Sequence, residues 1–259
     1  MPFKKLQKSW RNLLATDPPS TLTFKNQLIV ALDVDSADEC FRLANLLKGH
    51  AGAFKVGPRL CMRYGAELVT KLSKQAPVFV DNKYLDIPTT VDAAIRATFE
   101  AGATLATVHA WNGQETLAVL AKTEAELNRQ RPFKILAVTI LTSFTDETLP
   151  PGFAKASNQT IEESVVALAK LTLASGLSGL VCSPYEVAQL RELNKSAFLV
   201  TPGVRLANDE NGDQKRIETP ASAIRKGSSA LVVGRPIIAA KDPREAAERV
   251  IASINEGRS

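Results

Sequence analysis

The sequence is poor in the residue types that build disulfide frameworks and metal centres. It contains three cysteines and two histidines in 259 residues. Cys40, Cys61 and Cys182 lie far apart and form no C-x-x-C pair. We therefore expect neither a disulfide-stapled fold nor a zinc site. This cysteine usage is typical of a reducing compartment, so we expect the protein to be cytoplasmic.

Long apolar runs and clustered charges are also missing. No apolar run reaches the length of about 18 residues that a membrane-spanning helix needs. The first residues, MPFKKLQKSWRNLL, lack the apolar core of a secretory signal. The net charge of +5 is spread along the chain. A basic face for nucleic acid is therefore not expected, whereas an anionic small molecule fits this mild positive charge.

What the sequence does contain is a regular alternation of apolar runs and segments with helical periodicity. Near-continuous apolar runs are typical of parallel strands that are covered on both faces. We predict eight strands, at 28–34, 53–57, 77–81, 104–109, 135–141, 179–182, 198–201 and 230–234. We predict helices between and after them, at 36–47, 59–73, 89–101, 113–129, 160–175, 185–194, 220–226 and 243–255.

Eight strand–helix units predict an α/β fold, a single (β/α)8 TIM barrel over residues 27–259. A doubly wound open sheet is the structural alternative. Two long connections, 142–159 and 202–219, follow strands and would lie at the mouth, where barrel enzymes have their sites. We predict that residues 1–26 are an N-terminal extension that contains a short basic amphipathic helix. We expect it to pack across the barrel bottom, with membrane-surface or partner binding as the alternative.

Charged residues occur at the ends of three successive apolar runs. Asp33 and Lys55 belong to the first two runs, Asp81 ends the third, and Lys83 follows it by two residues. Residues two apart on a strand point the same way, so we expect these side chains to converge at one side of the mouth. Alternating signs would offset the cost of burying them, and nearby carboxylates favour the ammonium form of a lysine. Any one of these charged residues, taken alone, would be explained equally well as a solvent-exposed loop residue.

A second group of polar residues follows the last two strands. Gly234 and Arg235, in VVGRP, come directly after the eighth strand, where barrels commonly bind phosphate. A guanidinium can hold two phosphate oxygens at once. Arg205 in TPGVR and Gln214 in GDQKR belong to the long connection after the seventh strand. Without this context GRP would be an ordinary turn, and its position is what predicts a phosphate site.

Six separated motifs resemble those of the orotidine 5′-phosphate decarboxylase family. The stretch DNKYLDIPTTV is similar to the family signature D-x-K-x-x-D-I-x-x-T. ALDV, FKVG, VTILTS, TPGVR with GDQKR, and VVGRP resemble the remaining motifs, in the family's order, over roughly residues 27–255. The resemblance implies decarboxylation of orotidine 5′-monophosphate to UMP and CO2, the last step of de novo pyrimidine nucleotide synthesis. It implies no metal and no organic cofactor.

The resemblance also implies a role for each matching residue. Lys83 would donate the proton, Asp81 would lie beside the departing carboxylate, and Asp86 would complete the catalytic set. Residues that match Asp86 and Thr90 reach the neighbouring subunit's site in the family, which implies a homodimer with shared active sites. The expected substrate contacts are Asp33 and Lys55 at the ribose, Thr142 at the pyrimidine, Arg205, Gln214, Gly234 and Arg235 at the phosphate, and Thr90.

Two other functions remain open at this point. A barrel enzyme that acts on a sugar phosphate with a divalent metal carries a similar Asp-x-Lys-x-x-Asp motif. The Ile-Pro-x-Thr continuation at 87–90 and the TPGVR and GDQKR segments favour the nucleotide enzyme. A non-catalytic nucleotide-binding protein would not need Lys83. His109 and Trp111 follow the fourth run, and we expect both to be structural.

Overall fold

The computed structural model describes residues 22, 24–149, 160–206 and 218–258. Eight parallel strands close into one barrel in chain order. The strands are β1 Leu28–Ala31, β2 Ala53–Val56, β3 Val78–Tyr84, β4 Leu105–His109, β5 Lys134–Val138, β6 Gly179–Val181, β7 Phe198–Pro202 and β8 Ala230–Val233. Because β1 pairs with both β2 and β8, the predicted (β/α)8 barrel is confirmed and the open sheet is wrong.

Helices surround this barrel, and each of the eight predicted helices is present to within two residues at either end. They are α1 Ala37–Leu47, α2 Pro58–Ser73, α3 Pro88–Glu100, α4 Gly113–Leu127, α5 Ile161–Ala174, α6 Val187–Leu193, α7 Pro220–Arg225 and α9 Pro243–Glu256. Another helix, α8 Arg235–Ile238, follows β8 directly. It is too short for periodicity to reveal. A 3-10 turn, Ala110–Asn112, precedes α4.

Local side-chain bonds explain where several helices begin. The Thr160 hydroxyl accepts from the backbone N–H of Glu163, whose carboxylate accepts from the Thr160 N–H, and this reciprocal capping box starts α5. The helix α1 begins with the Ser-x-x-Glu pattern of such a box at 36–39, but only half of the box forms. Ser36 caps the Glu39 N–H, but the Glu39 carboxylate binds Arg42 instead.

The apolar side chains form two layers. One layer lies between the strands and the helices, and a smaller cluster fills the barrel interior. The interior cluster consists of Ile29, Ala53, Phe79, Leu105, Leu136, Val200 and Ala230. Leu22 and Phe24 pack against it, and the Phe24 ring lies 6.2 Å from the Phe198 ring. The chain just before β1 therefore contacts the bottom of the barrel, leaving the mouth for the charged residues.

The helix predicted in the N-terminal extension lies outside the described residues. In the part of the chain that the structure describes, no helix has both the length and the apolar character needed to span a bilayer.

Candidate active site

A cavity of about 1160 Å³ opens at the C-terminal ends of the strands. It is lined by eight of the residues predicted from the sequence to form a site. These are Asp33, Lys55, Asp81, Lys83, Thr142, Arg205, Gly234 and Arg235. The cavity is large enough for a ligand the size of a nucleotide, since typical ligand pockets measure about 300–1,000 Å³. Gln214 lies outside the described residues.

Four charged side chains form one chain of ion pairs on the β1–β3 side of this cavity. Lys55 Nζ lies 3.0 Å from Asp33 Oδ1 and 3.5 Å from Asp81 Oδ2. Lys83 Nζ lies 2.8 Å from Asp81 Oδ1. Charges therefore alternate in the order Asp33, Lys55, Asp81, Lys83, and each has an opposite neighbour. The predicted convergence is confirmed.

The four side chains differ in their access to solvent. Lys55 and Asp81 are nearly buried, with 11% and 14% of their side chains exposed, whereas Lys83 is 35% exposed. Asp81 is thus a shielded carboxylate that holds an accessible ammonium group. An ion pair in this position acts across little water, so its field is screened less than that of a surface pair.

Lys83 reaches Asp81 for a different reason from the one that strand alternation predicts. Lys83 has φ +52°, which makes it the one non-glycine residue with positive φ in the described chain. The β3–β4 register also shifts between Val80 and Tyr84. A bulge of this kind re-aims side chains and occurs next to active sites. The strand predicted to end at residue 81 therefore continues to Tyr84, and the two side chains meet through a bulge rather than through regular alternation.

Next to this network, the ends of β7 and β8 carry the residues expected to bind phosphate. Gly234 precedes α8, and Arg235 is the first residue of this helix. A side chain at position 234 would meet the Ala31 Cβ at 3.4 Å and the Asp33 carboxylate at 3.8 Å, so this position adjoins the charged network. The Arg205 N–H donates to the Glu218 carbonyl at 3.1 Å. The two ends of the long connection therefore meet at the cavity.

Asp86 and Thr90 do not line the cavity of their own chain. Asp86 is exposed, and its carboxylate accepts from the Ile87 N–H. Its own N–H donates to Asn112 Oδ1 at 3.1 Å. Thr90 is exposed in the first turn of α3. Their expected role in a neighbouring subunit stays a prediction.

His109 lies near the network without lining the cavity. Burial lowers the pKa of His109, and the nearby Lys83 ammonium lowers this pKa further. The imidazole is therefore neutral near pH 7, and its Nδ1 accepts weakly from the Trp111 N–H at 3.5 Å. The Trp111 side chain packs partly buried against the outer apolar layer. These contacts fit the structural role expected of both residues.

Several residues of the site were not found by sequence reasoning. Ser143, Cys182, Lys241 and Arg249 also line the cavity. Lys241 lies between the VVGRP motif and α9, and Arg249 lies within α9, so neither belongs to a strand end or to a motif considered in the sequence. Burial raises the pKa of the Cys182 thiol to about 12, so the thiol stays protonated and unreactive. Cys182 therefore only lines the cavity. In the described ranges no group of three or more His, Cys, Asp or Glu side chains could hold a metal ion.

Comparisons with known proteins agree with one another. The family model described as "Orotidine 5′-phosphate decarboxylase / HUMPS family" matches residues 26–250. An orotidine 5′-phosphate decarboxylase of Rhodopseudomonas palustris (strain BisB5) is 43% identical over 232 residues, covering 89% of this chain and 95% of the relative. Its counterpart in Trichlorobacter lovleyi is 44% identical over 237 residues, covering 90% of this chain and 97% of the relative.

A solved structure gives the same result. The crystal structure of orotidine 5′-phosphate decarboxylase from Lactobacillus acidophilus superimposes with a TM-score of 0.77 at 35% identity. The match covers 89% of this chain and 100% of that chain. The similarity therefore extends over the barrel and its mouth.

Proposed function

The chain belongs to the orotidine 5′-phosphate decarboxylase / HUMPS family, and on that premise we propose that it converts orotidine 5′-monophosphate to UMP and CO2. The observation that carries this proposal is the ion pair between Lys83 Nζ and Asp81 Oδ1, 2.8 Å long and open to the cavity. Supporting it, the curated relatives at 43% and 44% identity both have the decarboxylase name.

The chemistry of the reaction explains why a lysine is needed at this point. When the bond between C6 and the carboxylate breaks, its electron pair stays in an in-plane orbital on C6, which the ring π system delocalises poorly. A fixed ammonium group stabilises this developing charge and then supplies the proton that C6 takes up. Lys83 fulfils both roles, and solvent restores its proton after the product leaves. No metal ion and no organic cofactor take part.

The remaining residues of the cavity bind the substrate around this centre. Asp33 and Lys55 bind the ribose hydroxyls, and Thr142 contacts the pyrimidine. Arg235 and the Gly234 backbone hold the phosphate, together with Arg205 and Gln214 of the long connection. Binding energy from the phosphate, which is remote from C6, can then be used to hold the pyrimidine against Lys83 and to exclude water.

We also propose that the active enzyme is a homodimer with shared sites. Leu85 and Ile87, on either side of Asp86, are 57% and 64% exposed. Exposed apolar side chains that lie together, rather than singly, mark a surface that another protein covers. An isologous contact through this segment would bring Asp86 and Thr90 of each subunit to the mouth of its neighbour.

The test is an assay of UMP formation from orotidine 5′-monophosphate in the presence of EDTA. We expect turnover by the wild type, and a loss of at least about 10³-fold in kcat for Lys83→Ala because both charge stabilisation and proton transfer disappear. Size-exclusion chromatography should show the same dimer for both. Lys71→Ala is the control, since Lys71 forms an exposed pair with Glu67 on α2.

Three results would contradict the proposal. One is turnover that depends on added magnesium and a keto-sugar phosphate. Another is nucleotide binding by the wild type without any UMP formation. The third is near-wild-type kcat in Lys83→Ala. That result would refute the catalytic role given to Lys83 but not the identity of the substrate.

A further inference from the structure

We propose that the Thr107 hydroxyl is a positioning group for the decarboxylation, one that fixes both the Lys83 backbone and the Asp81 carboxylate. This inference rests on the proposed function. Thr107 lies on β4, is fully buried and does not line the cavity. It therefore acts on the substrate only through Lys83 and Asp81.

The β3–β4 register creates the need for this hydroxyl. Val80 is opposite Ala106 and Tyr84 is opposite Val108. Three residues of β3, 81 to 83, therefore share the space opposite Thr107 alone. A regular ladder cannot provide a backbone acceptor for each N–H in such a bulge. The Lys83 N–H instead donates to Thr107 Oγ1 at 2.9 Å.

The hydroxyl has one proton and two lone pairs, which fixes the direction of its bonds. Since Thr107 Oγ1 accepts from the Lys83 N–H, its own proton is free for Asp81 Oδ1, which lies 3.0 Å away. The same Asp81 oxygen also forms the ion pair with Lys83 Nζ at 2.8 Å. Thr107, Asp81 and Lys83 thus form a closed ring that includes both ends of the lysine.

This ring determines where the Lys83 ammonium group lies. One hydrogen bond holds the lysine backbone at its positive φ, and the other orients the carboxylate that holds Nζ. Removal of the hydroxyl leaves the Lys83 N–H without its acceptor and lets the Asp81 carboxylate rotate. An ammonium group displaced by about 1 Å lowers the rate by about 100-fold even though no substrate contact is lost.

The experiment compares Thr107→Val, which has the same shape without the hydroxyl, and Thr107→Ser, which keeps the hydroxyl. We expect kcat for orotidine 5′-monophosphate to fall by about 100-fold in Thr107→Val while KM changes by less than about threefold. Thr107→Ser should recover most of the wild-type kcat. Thr172→Val is the matched control, because Thr172 is also fully buried but bonds only the Leu168 carbonyl within α5.

Each outcome supports or overturns the inference. It is overturned if Thr107→Val keeps kcat within about threefold of the wild type, or if KM rises while kcat is unchanged. It is also overturned if Thr172→Val loses as much activity, which would mark a general effect of losing a buried hydroxyl. Should Thr107→Val not fold, Thr107→Ser and Thr107→Ala give the same comparison, since they differ only by the hydroxyl. A wild type that forms no UMP would instead refute the proposed function.

Discussion

At the scale of single residues, the backbone of Lys83 is the most unusual feature of the molecule. A non-glycine residue at φ +52° is strained, typically by about 1–3 kcal/mol. Strain of this kind persists only where neighbouring contacts hold it. At Lys83 those contacts are the bond to Thr107 and the ion pair with Asp81. The strained backbone therefore occurs at Lys83, the residue whose ammonium group it directs into the cavity.

Two substitutions at this position should separate strain from function. Lys83→Gly and Lys83→Ala both remove the ammonium group, but only glycine adopts a positive φ without a steric penalty. We expect Lys83→Gly to unfold with a free energy about 1 kcal/mol higher than that of Lys83→Ala, with both variants inactive. Urea unfolding measures this difference. Equal stability, or a more stable alanine variant, would show that position 83 is not strained.

Protonation of His109 makes the stability of the folded protein depend on pH. The pKa of His109 is lowered from its ordinary value of 6.5 in the folded protein, because burial and the Lys83 charge oppose protonation. As pH falls below about 6.5 the unfolded chain therefore takes up this proton first, and stability is lost. We expect the free energy of unfolding to fall less between pH 7 and pH 5 in His109→Asn. Parallel pH curves for both proteins would contradict this reading.

At the scale of elements, most of the fold could be predicted because the apolar pattern and the element lengths agree. The strand ends were less certain. Runs such as 28–34 and 135–141 continue beyond the ends of the ladder at Ala31 and Val138, with both apolar and polar residues. Side chains beyond those points remain buried by the helices, as Leu32 and Ile140 are. The apolar pattern therefore predicted which residues are buried, but it predicted where strand pairing ends only approximately.

The charged network could be predicted only in part from the sequence. The positions of Asp33, Lys55 and Asp81 follow from strand order, since neighbouring parallel strands end at the same edge. The bulge at Lys83 does not, because it arises from the register between β3 and β4, which only the folded structure shows. Sequence reasoning noticed His109 two residues later and overlooked the threonine, whose importance depends on contacts rather than on its own chemistry.

The two ends of the barrel should respond differently to substitution. Gly52 lies at the bottom, where a side chain would clash with the Asn26 carbonyl oxygen. We expect Gly52→Ala to lower the free energy of unfolding by about 1–3 kcal/mol, because the backbone must shift to admit the methyl group. Activity of the folded enzyme should stay unchanged. Chemical unfolding and an assay under folding conditions measure the two effects.

Gly57→Ala is the control for this substitution. Its new methyl group would meet the Asp81 carbonyl oxygen at an ordinary 3.6 Å, and Gly57 has a negative φ of −126°. We expect it to be clearly more stable than Gly52→Ala. If Gly52→Ala is as stable as the wild type, the close approach at the barrel bottom is not a constraint.

At the scale of the whole molecule, the charge of the cavity matters more than the net charge of +5. Six basic residues and two acidic residues line the described part of the cavity. The basic residues are Lys55, Lys83, Arg205, Arg235, Lys241 and Arg249, and the acidic residues are Asp33 and Asp81. An excess of one sign in a concave site raises the local concentration of ligands of the opposite sign.

This excess of positive charge predicts that kcat/KM depends on salt when the substrate carries a phosphate. We expect kcat/KM for orotidine 5′-monophosphate to fall by at least about threefold between low salt and 0.5 M salt, because screening weakens the attraction. The double variant Lys241→Ala, Arg249→Ala should show a smaller dependence. Orotidine, which lacks the phosphate, is the control and should show little dependence. A salt effect of the same size on both substrates would contradict the prediction.

The proposed decarboxylation depends on where the Lys83 ammonium group lies when the pyrimidine is bound. A crystal structure of the protein with UMP tests this most directly. We predict that Lys83 Nζ lies about 3–3.5 Å from C6 of the pyrimidine, still paired with Asp81, while Arg235 contacts the phosphate. A complex in which Lys83 points away from C6 would contradict the account.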